Sequence, residues 1–266
     1  MLIVVLYLLC GAAAGFFSGL LGIGGGLVVV PLLTFIFTVQ GVMSPDVAMH
    51  VAVATSLSSI LFTSVSSARS HARRGSVEWR FVRGLAPGIV AGTLIGSFGA
   101  AYIPGFGLRA FFVVFLVCIA TQMLLDLYPK SRGFAPGASA LAGAGLIIGG
   151  VSSLVGLGGG SLTVPFLRWC GVDMHKAVGT SSAVAWPIAV AGTFGFVVSG
   201  WGNPLLPAWS LGYVSLPATL GIACTSVFFA PLGARLAHAL PVPTLRKVFA
   251  VFLYVTAVDM MWGMLH

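Results

Sequence analysis

Two glycine clusters carry the strongest chemical signal in the chain. Gly22-Ile-Gly-Gly-Gly26 and Gly156-Leu-Gly-Gly-Gly160 are each followed by a proline five residues on, Pro31 and Pro165. Glycine lets the backbone turn tightly and leaves its N–H groups unshielded. A helix that begins after such a turn presents free donors and about half a positive charge, which suits an anion. Neither cluster is a dinucleotide fingerprint, because Leu27 and Ser161 stand where the third glycine belongs. Neither is a phosphate-binding P-loop, because no lysine follows. Gly24, Gly25, Gly26, Gly158, Gly159, Gly160 and Ser161 are therefore candidate anion-binding positions, against the plainer reading that such glycines only let helices pack closely.

A second set of candidates is neutral and polar. Thr55-Ser56 and Thr180-Ser181-Ser182 lie some eight residues into apolar stretches. At about 1.5 Å per residue, that is near mid-depth if those stretches cross a bilayer. Hydroxyls there can donate to an anion without burying a full charge, which costs about 2.5–3.5 kcal/mol or more. The competing reading is bonding to the carbonyl one turn back, or helix-to-helix contact. Ser18 and Ser152 also correspond and are weaker candidates. His50 and His175 precede the hydroxyls by about one turn. Either could carry a proton near neutral pH, and either could simply mark a membrane interface. Asp126 and Asp259 sit toward helix ends, where solvation explains them. No GxSxG, no HExxH and no paired intramembrane carboxylates are present, so the chain is expected to be no enzyme. Cys10, Cys118, Cys170 and Cys224 have no ligand spacing and read as small core hydrophobes; neither a metal nor a cofactor is expected.

The elements that must position these residues follow from composition. Of 266 residues, 58% are hydrophobic and 7% charged, against roughly 45–50% and 25% in a soluble domain. So few charges cannot cover a water-facing surface, which excludes soluble enzymes, nucleic-acid binders and disordered proteins. Apolar stretches run near 2–21, 27–39, 47–67, 81–101 and 108–128, and again near 137–156, 161–171, 177–199, 211–230 and 245–265. In each set the second stretch is short, follows a glycine cluster and contains a proline.

Three matched passages make this an internal repeat. The glycine clusters match at a shift of 134; Met49-His-Val-Ala-Val-Ala-Thr-Ser56 matches Met174-His-Lys-Ala-Val-Gly-Thr-Ser181 at 125; and Leu108-Arg-Ala-Phe-Phe-Val-Val-Phe-Leu116 matches Leu245-Arg-Lys-Val-Phe-Ala-Val-Phe-Leu253 at 137. The expected division is a first repeat over 1–130 and a second over 131–266.

Charge placement bears on orientation. If the second half is inverted, Arg69, Arg73, Arg74, Arg80, Arg83, Lys130, Arg132, Arg168, Lys176, Arg235, Arg246 and Lys247 share one side, which is 12 of the 13 basic residues. Parallel halves split them almost evenly. Cytoplasmic loops collect Lys and Arg, so the expected fold is an all-α polytopic membrane protein of two inverted repeats with both termini outside. Arg109 is the exception, since inversion must place it or its counterpart Arg246 on the other side. Whether the first two helices of each half both cross, or form a re-entrant hairpin, stays open on parity. Equivalent points of inverted halves meet only near the midplane, so a shared glycine site favours short, broken or re-entrant helices. Gly84, Gly88, Gly92 and Gly96 repeat every fourth residue, as do Gly11, Gly15 and Gly19, a spacing that allows close helix approach.

At the paired Gly-x-Gly-Gly-Gly…Pro segments and the Thr-Ser helices, the sequence resembles the sulfite exporter TauE/SafE family of bacterial membrane transporters, over nearly the whole chain. The resemblance implies secondary transport of sulfur-containing anions such as sulfite, sulfate, thiosulfate or organosulfonates across the cytoplasmic membrane. It also implies that Gly24, Gly25, Gly26, Gly158, Gly159 and Gly160 border the site, with Thr55, Ser56, Thr180 and Ser181 nearby. The resulting expectation is an alternating-access transporter of a small sulfur oxyanion, with proton coupling through His50 and His175 as an option. The alternatives are a passive anion channel on the same scaffold and a non-transporting subunit of a larger complex. The expected partners are the small anion and the lipid bilayer, with a homodimer allowed and no nucleic acid.

Overall fold

The computed structural model describes residues 2–21, 25–39, 41, 43–125, 136–239 and 242–265. Those residues form ten helices: α1 (Leu2–Leu21), α2 (Gly26–Val39), α3 (Pro45–Arg73), α4 (Trp79–Ala100), α5 (Gly105–Leu124), α6 (Ala138–Val155), α7 (Gly160–Trp169), α8 (Met174–Ser199), α9 (Leu216–Ala239) and α10 (Val242–Leu265). Six of them are long and apolar enough to cross a membrane. Large apolar side chains such as Ile95, Val114, Phe194 and Phe228 point outward, as a lipid-facing surface requires. The chain is an all-α polytopic membrane protein.

The apolar stretch expected from residue 211 begins with a small ribbon. β1 (Ser210–Leu211) pairs antiparallel with β2 (Val214–Ser215), and α9 starts only at Leu216. Gly212, with φ +54°, makes the turn, and a Cβ there would collide with Val197. At the other end of the expectation, α3 runs past residue 67 to Arg73, carrying Arg69 and Arg73 on its last turns.

The glycine ladders set the closest packing. α4 lies along α6, with Gly88 and Gly92 against the backbone of Ala142 and Leu146, and Gly145 and Gly149 against Leu85 and Ile89. α1 lies along α9 in the same manner, Gly11 on Ile222 and Gly15 on Ser226. Residue numbers rise together in both pairs, so each pair is parallel. Small residues at every fourth position remove the side chains that would hold two backbones apart.

α3 and α8 cross antiparallel at the centre: Ser67 bonds Ser182 at 3.3 Å, while Leu57 lies against Gly192. α5 and α10 are also antiparallel, since Arg109 at the start of α5 donates to the Gly263 carbonyl at the end of α10 at 3.2 Å. A cation at a helix C-terminus is favourable, which explains how Arg109 is held on the face away from the arginine cluster. That cluster's face gathers Arg69, Arg73, Arg74, Arg168 and Lys176, with Lys176 and Glu78 paired at 2.6 Å. Among the cysteines, Cys10 is buried, whereas Cys118 and Cys224 are exposed, so the expectation of four core residues is corrected. Both lie on helices whose outer faces are apolar, where a thiol passes as a small hydrophobe.

Candidate functional site

The second glycine turn is fully described. α6 ends at Gly156, φ +73°, a left-handed residue that lets Leu157 N–H close on the Ser152 carbonyl at 2.9 Å. Gly159, φ +74°, then opens α7, and its carbonyl accepts from Leu162 and Thr163. Of the first turn, Gly24 lies outside the described residues, while Gly25 and Gly26 are placed.

The two turns meet. A Cβ on Gly26 would run into the Gly156 carbonyl and stand 3.1 Å from Ser56 Oγ. Ser56 donates to that same carbonyl at 2.8 Å. Two segments 130 residues apart are thus held in backbone contact, and only glycine permits the approach.

Thr55 and Thr180 take a role that spacing alone does not reveal. Thr55 Oγ1 accepts the backbone N–H of Ser215 at 3.0 Å, the residue before α9. Thr180 Oγ1 accepts the backbone N–H of Glu78 at 2.9 Å, the residue before α4. Each hydroxyl satisfies an N–H at the start of a helix in the other half. Both threonines are fully buried. Ser181 and Ser182 bond back to the Val178 carbonyl at 2.8 and 3.1 Å.

A cleft of ≈ 30 Å³ lies between α3 and α8. It is lined by Thr63, Ser64 and Ser67 from α3, Ser181 and Ser182 from α8, and Ser18 from α1, with Gly25, Gly158 and Gly160 at its edge. No lining residue is charged. The bonds of Thr63 and Ser64 to carbonyls one turn back are long, 3.4 Å, so those hydroxyls can turn toward a guest. Ser67 and Ser182 lie toward the arginine-rich face. The volume matches about two water molecules at roughly 10–15 Å³ each, so a tetrahedral oxyanion requires α3 and α8 to separate.

Of the expected residues, the cleft gathers Gly25, Gly158, Gly160 and Ser181, with Gly26 and Ser56 just behind. Ser161 is buried on the first turn of α7 and Gly159 packs under Ile188. The histidines are elsewhere. His50 is buried against Tyr213, ring centroids 5.2 Å apart, with Nδ1 3.0 Å from the Asp46 carbonyl and Nε2 3.0 and 3.1 Å from those of Ala100 and Ile103. His175 is exposed on the arginine-rich face. Asp259 is exposed and near Arg109; Asp126 lies outside the described residues.

Thr63, Ser64 and Ser67 line the cleft without standing out as a repeated motif. Their signal was present: hydroxyls at Ser56, Ser59, Thr63 and Ser67 recur at steps of three, four and four, which is one face of a helix.

The chain matches a family model described as Sulfite exporter TauE/SafE over residues 7–260. It is 40% identical to a probable membrane transporter protein of Haemophilus influenzae, covering 97% of each chain. It is 27% identical to another of Methanocaldococcus jannaschii, over 98% of this chain and 96% of that one. The probable membrane transporter YunE of Bacillus subtilis is 29% identical over 75% of this chain and 80% of its own. No solved structure gives a significant match.

Proposed function

Because the chain belongs to the sulfite exporter TauE/SafE family and is a membrane transporter, we propose that it moves a small sulfur-containing oxyanion through the cleft between α3 and α8. The observation that carries this reading is the lining itself. Six hydroxyl side chains and three glycines converge beside two helix starts, and no carboxylate is among them. A cation would want carboxylates or a cage of carbonyls. An oxyanion needs donors, and rotatable hydroxyls with helix N-termini supply them without a buried charge.

The transport mode is alternating access between inverted halves, with both termini on the outer side of a bacterial cytoplasmic membrane. Support comes from the partner exchange in the helix packing: α1 with α9 and α4 with α6, while the corresponding helices α3 and α8, and α5 and α10, lie antiparallel. Helices related by the repeat run in opposite directions where they touch, as an axis in the membrane plane requires. The gathering of arginines on one face supports that face as cytoplasmic. Those arginines also raise the local concentration of anions near the cleft. Nothing in the surroundings of His50 or His175 favours a proton path, because neither lines the cleft.

Flux into proteoliposomes loaded with sulfite, sulfate, thiosulfate or an organosulfonate tests the reading. At least one should exchange faster than in protein-free vesicles, and Ser64→Ala with Ser67→Ala should slow it about tenfold. If none of the four moves, the reading is wrong.

A further inference from the structure

The cleft has a counterpart, which the fold builds and then fills. Applying the shifts of the repeat to the cleft lining turns Ser18 into Ser152, Gly25 into Gly159, and Thr63 and Ser67 into Ile188 and Gly192; Ser182 in turn corresponds to Leu57. Beside Gly25 there is more room, since the atoms nearest a Cβ there belong to Ala14, at 3.2 Å and beyond. Beside Gly159 there is none, since Ile188 Cδ1 stands 2.5 Å from the Cβ position. Leu57 Cδ1 stands 2.8 Å from that of Gly192. Ile188 and Leu57 are both wholly buried. Where one end of the path has Thr63 and Ser182, the other has two branched aliphatic side chains.

Around that plug the polar groups are left unpaired. Ser152 Oγ and Thr163 Oγ1 each lie 3.5 Å from the same point, the Cβ position of Gly159. Both side chains are fully buried, and neither hydroxyl has a hydrogen-bond partner. Ser161 Oγ, on the first turn of the ten-residue α7, is buried and unpartnered as well. Buried hydroxyls are nearly always paired, so the two orphans that face one point, Ser152 and Thr163, are destabilising unless something else occupies the place in another state. At the positions corresponding to Ser152 and Thr163 the first half has Ser18 and Val29, so the pair belongs to the second half alone.

We infer that Ser152 and Thr163, with the N-terminus of α7, form an occluded oxyanion subsite capped by Ile188 and Leu57. The subsite rests on the reading of the chain as an oxyanion transporter and adds where the anion is held when the cleft on the arginine side closes. Its residues are all neutral donors, so the ligand it takes is rich in acceptors and needs no counter-anion: a sulfite-like or sulfonate head, not an ammonium group. Pro187, directly before Ile188, lacks the N–H that would bond the Ala183 carbonyl, so α8 bends most readily at the point where the cap must move.

Equilibrium binding of 35S-labelled sulfite, sulfate and thiosulfate to the purified full-length protein tests this. For whichever anion the wild type binds, Thr163→Val and Ser152→Ala should each weaken binding about tenfold, while Thr163→Ser should bind like the wild type. A packing role predicts the reverse order, since valine keeps the shape of threonine and serine does not. Ile188→Ala, which removes the cap, should tighten binding, because less of the protein is then closed to the ligand. Unchanged binding in Thr163→Val and Ser152→Ala would overturn the subsite and leave the transport reading standing. Unchanged binding in Ile188→Ala would overturn the occlusion. A wild type that binds none of these anions and moves none of the four solutes of the flux assay would instead remove the reading on which the subsite rests.

Discussion

α3 and α8 correspond in the repeat and cross each other at the centre of the molecule, yet they are built differently. Along α3 the positions near the crossing are Thr63, Ser64 and Ser67; along α8 they are Ile188, Ala189 and Gly192. Toward its start α3 carries Leu57, where α8 carries Ser182. The outcome is one polar cleft on the arginine side and one apolar plug opposite. The contrast teaches that the two halves share what holds the scaffold and differ in what lines the cleft. Thr55 and Thr180 do the same work in both halves, each accepting the N–H that precedes a helix of the other half. The residues that line the cleft do not.

The comparison can be broken at three points. The largest effect is expected at Gly179, where α8 receives the loop before α4 and a Cβ would overlap the Ser76 carbonyl. The corresponding residue of α3 is Ala54, which carries a Cβ already. Gly179→Leu should abolish monodisperse protein in size-exclusion chromatography, whereas Ala54→Gly should leave the peak in place.

Next come the histidines. His50→Ala leaves three backbone carbonyls facing a void and should lower the melting temperature strongly, by about 2 kcal/mol or more of stability. His175→Ala, at an exposed position, should shift the melt little. Equal shifts for the two would show that the halves treat them alike, contrary to their surroundings.

The smallest effect sharpens the comparison from the other side. Thr55→Val and Thr180→Val each leave one helix-start N–H unpaired and should each cost about 1 kcal/mol, by equal amounts. A thermal melt in which one is neutral and the other is not would show that the two caps are not equivalent.

Much of the scaffold was legible in the sequence, for physical reasons that local pattern expresses. The glycine ladder of α4 reads as close packing because every fourth residue shares a helix face, and its partner α6 carries the matching ladder. The glycine turns read as a meeting place because irregular backbone in a bilayer must be buried or line a cavity. The site was legible only in part. Thr55 and Thr180 were conspicuous as a repeated pair, but their oxygens serve the backbone of Ser215 and Glu78. Thr63, Ser64 and Ser67 were less conspicuous because the second half does not repeat them. His50 and His175 match in sequence and differ in burial, because only His50 falls under the turn between α4 and α5.

By itself the sequence determined the class and which helix faces allow close approach, since these depend on composition and on spacing along single helices. Only the tertiary structure decided which hydroxyls line the cleft, which ones cap helices and which are left orphaned beneath Ile188. A helix several turns long offers hydroxyls on more than one face. The face that meets the cleft is chosen by contacts with segments 100 or more residues away, as when Ser67 meets Ser182 and Ser56 meets Gly156.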